Sequence, residues 1–127
     1  MGARDLKVGM VSWRLPSGPK ATHRRSERTL RAVARWAQHW NAPALSPADL
    51  VHKREVIAAH CADVGRDPSE IMTSTHLRLG DDGDPGRVAD QAAALAESGL
   101  DLGIVYLPVP HTPKVLEPLA AALAPLT

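Results

Sequence analysis

Apolar residues recur at Leu30, Val33, Ala34 and Ala37, the i, i+3, i+4, i+7 spacing of a helix with one buried stripe. Arg28, Arg31 and Arg35 share the opposite side. The pattern predicts a helix over 27–39, with Ser26 as its N-cap and Glu27 suited to the first turn by the helix dipole. Trp40-Asn41-Ala42 reads as a very short strand stopped by Pro43. The strongest helix follows over 47–64. Ser46 caps it, Pro47 takes the first position, and Asp49 completes a capping-box pattern. Leu50, Ile57, Cys61 and Val64 form its expected buried stripe, with Ala58 beside it and Gly65 as its stop.

Residues 66–70 read as a loop with a further cap-like start. Ile71 to Leu79 then alternates as a strand, with Thr73, Thr75, Leu77 and Leu79 on one face. A Gly- and Asp-rich loop leads to a helix from Pro85 to about Ser98, with Val88, Ala92 and Leu95 inward and Gly99 as its stop. Leu102 to Leu107 is an almost continuous apolar run, the signature of a strand covered on both faces. Thr112-Pro113 opens a last helix to about Ala124, which Pro118 is expected to kink or split. At the other end, Leu6 to Val11 fits a short strand, and the breaker cluster Pro16 to Lys20 makes 14–25 irregular. Strands alternating with helices argue for an α/β chain of parallel βα units.

At 127 residues the chain suits one domain with a real core. Hydrophobic residues make up 44% and Phe is absent, so that core is aliphatic. Charge is distributed unevenly. Residues 1–40 carry nine Lys or Arg against two Asp or Glu, a surplus of seven. Residues 41–127 carry six against twelve, a deficit of six. Arg24, Arg25, Arg28, Arg31 and Arg35 could meet phosphates, but no aromatic residues interleave them, so nucleic acid is disfavoured and a solvated basic face is expected. Cys61 stands alone, which excludes an internal disulfide. No apolar run approaches the roughly 20 residues of a membrane span, and no secretory signal is recognisable. The expected location is the cytoplasm.

Three further groups contain residues capable of chemistry. His52 and His60 lie two helical turns apart and Cys61 faces the core, so surface histidines and a buried thiol are expected and no metal site. Asp81, Asp82 and Asp84 lack calcium-loop spacing and read as a solvated turn. His76, alone on its strand, reads as structural or exposed. No P-loop, GxGxxG or GxSxG occurs, and no catalytic residue is assigned.

From Ser26 to Leu126 the chain resembles the C-terminal part of the luciferase-like monooxygenases, most closely the branch that uses coenzyme F420. The resemblance runs through Glu27, Thr29-Leu30-Arg31, Val33-Ala34-Arg35, Ala37 and Trp40-Asn41. It continues through His60-Cys61, Val64 to Pro68, Ile71, and Ser98-Gly99-Leu100-Asp101. It implies a partial TIM (β/α)8 barrel over 26–127, roughly the last three to four βα units with parallel strands, preceded by an irregular arm at 1–25. It implies F420, alternatively FMN, as cofactor and a small molecule as substrate. Ser26, Arg28 and Thr29 would be cofactor-side residues at a helix start, and Trp40 and Asn41 would border the substrate pocket. His23, Arg24 and Arg25 stand where the family has a glycine-rich turn. A truncated or frameshifted gene would account for that departure and for the missing earlier strands. The expectation is therefore an oxidoreductase fragment inactive alone. The alternative is a non-enzymatic partial-barrel module that forms a homodimer or pairs with a separate N-terminal half.

Overall fold

A computed structural model describes residues 9–11, 22–43, 45–80, 82–109 and 112–126. The elements run β1 (Gly9–Val11), α1 (Thr22–Trp36), β2 (His39–Asn41), α2 (Pro47–Val64), a 3₁₀ turn (Pro68–Glu70), β3 (Met72–Arg78), α3 (Pro85–Glu97), β4 (Leu102–Tyr106), α4 (Pro113–Leu123) and a closing 3₁₀ turn (Ala124–Leu126). The four strands form one sheet in the order β1-β2-β3-β4, and every pairing is parallel. The chain is α/β and the sheet grows by one neighbour per βα unit. Crossovers between parallel strands are right-handed in nearly all proteins. Stepping always in one direction with one hand places successive helices on the same face. Accordingly α1 packs on α2, α2 touches α3, and α3 packs on α4.

The helices cover the strand face that carries Trp40, Thr73, Thr75, Leu77 and Val105. Registers Trp40↔Thr73, Thr75↔Gly103 and Leu77↔Val105 put these positions in line, and α2 reaches this face through Arg54, whose Nη1 lies 3.5 Å from Thr73 Oγ1. Here Trp40 and Leu77 join Leu30, Val33, Leu50, Ile57, Cys61, Val88 and Leu95 in the core. Each such large side chain, fully buried, contributes about 1.5–3 kcal/mol. Thr73, Thr75, Leu77 and Leu79 are all buried, as their alternation predicted. Leu30, Val33, Ala34 and Ala37 form the expected stripe of α1.

Local chemistry sets the ends of α2. Ser46 Oγ accepts from Asp49 N at 3.1 Å, and Gly65 closes the helix in the left-handed region at φ 68°. Arg66 then donates to the Ala34 carbonyl at 3.0 Å and pairs with Glu70 at 3.0 Å, pinning the end of α2 to α1. Asp67 caps the following 3₁₀ turn by accepting from Ser69 N at 2.9 Å, where the sequence suggested a loop with a cap-like start.

Several expectations shift. Helix α1 spans Thr22–Trp36 rather than 27–39, so 22–25 are helical and Ser26 lies inside the helix instead of capping it. It stops earlier because His39 is needed as the first residue of β2, which is His39–Asn41 rather than Trp40–Ala42. The expected strand at 6–11 is β1 over Gly9–Val11, and residues 1–8 and 12–21 of the expected irregular arm lie outside the described residues. Val64 is 46% exposed and leaves the α2 stripe, since it sits in the last turn beside the Gly65 stop. The run in β4 is not covered on both faces: Leu102 is 42% and Tyr106 51% exposed, because β4 ends the sheet and no described helix covers its far side. Helix α4 runs through Pro118 without splitting. No described helix is long and apolar enough to cross a membrane.

Candidate functional site: the uncovered polar face of the sheet

Successive strand side chains point to opposite faces. Trp40 therefore enters the helix-side core and Asn41 points the other way. The same alternation sends His39, Asn41, Ser74, His76, Arg78 and Tyr106 to the face the helices leave uncovered. These strand positions carry no carboxylate.

Ser74 is the hub. Its Oγ lies 2.6 Å from His39 Nε2 and accepts from Asn41 Nδ2 at 2.7 Å. A hydroxyl has one proton and two acceptor sites. With Asn41 donating, the arrangement that uses the hydroxyl proton has Ser74 donating to His39 Nε2, and His39 then keeps its own proton on Nδ1. Ser74 is fully buried and Asn41 nearly so. The Asn41 Oδ1 atom is buried and has no hydrogen-bond partner. An unpaired buried acceptor costs about 1–3 kcal/mol. Further along the strands, the His76 and Tyr106 rings meet edge to face, with centroids 4.9 Å apart and planes at 80°. The Tyr106 ring is half exposed, and Arg78 stands exposed at the end of β3. The face thus offers hydrogen-bonding groups at depth and an aromatic surface nearer the strand ends. It offers no activated nucleophile, because Ser74 Oγ is sealed from solvent.

The structure divides the residues the sequence singled out. Trp40, expected at a pocket border, is 1% exposed within the core, and its Nε1 has no partner there. Asn41 alone of that pair faces the uncovered side. Arg28 is exposed and Thr29 half-buried, both beyond the first turn of α1. The anion-attracting effect of a helix start fades within one turn. Ser26, Arg28 and Thr29 are therefore not at a helix start, and α1 carries them in the layer away from Asn41. His39, Ser74 and Tyr106 were not foreseen, and His76 was given no role. The available signal was their period-two spacing with buried Thr73 and Thr75, which places Ser74 and His76 together on the other face.

A concavity of about 410 Å³ lies on the helix side, between α2, the 3₁₀ turn at 68–70 and the start of β3. Arg54 occupies its wall. It donates to the Gly99 carbonyl and pairs with Asp101 at 3.8 Å, while Asp101 accepts from Thr73 N at 2.8 Å. Gly99 has φ 97°, and a Cβ there would stand 3.3 Å from the Arg54 guanidinium carbon. This cluster fixes the approach to β4 and is structural. Cys61, buried against α1, has its pKa raised chiefly by desolvation, with the Arg66 cation opposing. His52 is exposed, and His60 Nδ1 lies 3.8 Å from Asp63. Among the described residues no group of three or more His, Cys, Asp or Glu converges as a metal site would. No family model matches the chain, and no curated protein matches it.

Proposed function

We propose that residues 26–127 form the last three to four βα units of a luciferase-like oxidoreductase barrel, and that the uncovered face of the sheet is the cofactor and substrate side. The observation that carries this reading is the topology: parallel strands in sequential order, helices on one face, and on the other both polar side chains (His39, Asn41, Ser74, His76) and apolar ones (Met72, Leu102, Ile104). Such an order suits a barrel wall, where ligands bind toward the C-terminal ends of the strands. The uncovered face suits the ring of a deazaflavin or flavin. Tyr106 offers a half-exposed aromatic surface on which such a ring can stack. When bound, F420 or FMN would supply hydride transfer or, for the reduced flavin, oxygen activation. The chain's own part is binding and orientation. Ser74 holds Asn41 and His39 in place, and His76 braces Tyr106. On this reading the chain alone supplies only part of the site. The location consistent with this reading is the cytoplasm.

The test is a chimera in which residues 26–127 replace the corresponding C-terminal segment of an F420-dependent luciferase-like protein. The chimera should fold and bind F420. One that folds yet binds neither F420 nor FMN ends the reading. Titrated alone, the chain should show no binding tighter than about 100 μM. Micromolar binding with a spectral change would show that the site is complete without further strands. The sealed Ser74 hydroxyl favours a second reading, a partial-barrel module with no chemistry of its own.

A further inference from the structure

We propose that two copies of this chain close their sheets into one eight-stranded barrel, the β4 edge of each pairing with the β1 edge of the other. The inference rests on the partial-barrel reading but not on the family or its cofactor. Parallel sheets are ordinarily covered on both faces, and here helices cover one. Leu102 and Tyr106 stand exposed on the other, on the strand that ends the sheet. Four sequential strands are half of the eight that close a barrel. A two-fold axis along the barrel preserves strand direction, so β1 of the partner meets β4 in parallel. One rotation makes both seams and leaves no open edge.

Charge selects a second copy as the occupant. Helix α1, which links β1 to β2, carries five arginines, among them the exposed Arg28, Arg31 and Arg35, against Glu27. Toward the other edge, residues 82–126 expose six acids, Asp82, Asp84, Asp90, Glu97, Asp101 and Glu117, against only Arg87 and Lys114. Head-to-tail closure sets the basic edge of each copy beside the acidic edge of the other, twice. Such complementarity guides association and fixes orientation. Exposed Trp36 on α1 and Leu116 on α4 add apolar surface at the same two edges. The closed interior would then hold both polar faces.

Sedimentation velocity of the full chain in about 50 mM salt should show a species of twice the 13.6 kDa chain mass. Raising the salt to about 500 mM should weaken the dimer roughly tenfold. The double variant Leu102→Lys/Tyr106→Lys changes two partly exposed side chains of β4 and removes the ring packed on His76. It should sediment as a monomer with unchanged far-UV circular dichroism. Leu116→Lys, on α4 and away from the strands, should weaken the dimer in the same direction. The proposal is overturned if the wild type stays monomeric at about 100 μM. Open-ended assemblies larger than two copies would also overturn it, as would a dimer equally stable in both variants and at both salt concentrations. These outcomes leave the cofactor reading to the chimera, so the two fail separately.

Discussion

Removing the Ser74 hydroxyl leaves Asn41 Nδ2 without its acceptor in a place closed to solvent. Ser74→Ala should therefore cost about 1–3 kcal/mol, read as a lower urea midpoint with an unchanged slope. An unchanged midpoint would mean that the hydroxyl is not the hub described. Cys61 gives a second prediction. Its folded pKa lies above its unfolded value through burial, so the unfolded chain releases this proton first as pH rises. Its contribution is present below the ordinary thiol range near about 8.5 and fades above it. Native protein should label with a disulfide reagent only as fast as it opens, and labelling at the free-thiol rate would contradict the burial. At this scale the sequence was half legible. It marked Trp40 and Asn41 as a pair, and their alternation implies opposite faces. Which of the two faces the core follows from register, since Trp40 lies in line with Thr73 on the side the helices cover. Ser74 was invisible because its importance comes from residues 33 and 35 positions away in the chain.

Helix α2 shows how much of an element can be read from its ends. Ser46, Pro47 and Gly65 each sit where the chemistry of caps places them, and both boundaries match. Ser46→Ala should cost about 1 kcal/mol by losing the cap to Asp49 N. Gly65→Ala should cost about 1 kcal/mol by forcing a Cβ into the left-handed region. The sites are separated by a whole helix, about 27 Å, so the double variant should equal the sum in urea melts. A clear departure from additivity would show that the α2 ends communicate through the α1 contact made by Arg66. Helix α1 was less legible. Ser26 followed by an amphipathic stripe looks like a start, yet the helix continues back to Thr22, because a capping residue is also tolerated inside a helix. The apolar run of β4 misled for a different reason. Hydrophobicity reports what a strand would bury, whereas exposure depends on which strand ends the sheet.

Across the whole molecule, alternating strands and helices made the parallel α/β architecture legible. The facing of the sheet was not, because helix and strand patterns do not say on how many sides the layers stack. Cohesion is also uneven. The α1–α2–β3 side holds most of the buried large side chains, whereas α4 buries Leu119 alone and β4 is half exposed. Native-state hydrogen exchange should find α4 and β4 opening at lower free energy than α2 and β3. Uniform protection would contradict that gradient. The sheet order has a temporal consequence. Each strand's neighbour is the strand of the preceding unit, so every unit added can dock on structure already formed. A chain emerging from the ribosome can therefore assemble from its N-terminal side, about one βα unit at a time, without waiting for distant sequence. The last strand to arrive is the one left at the growing end.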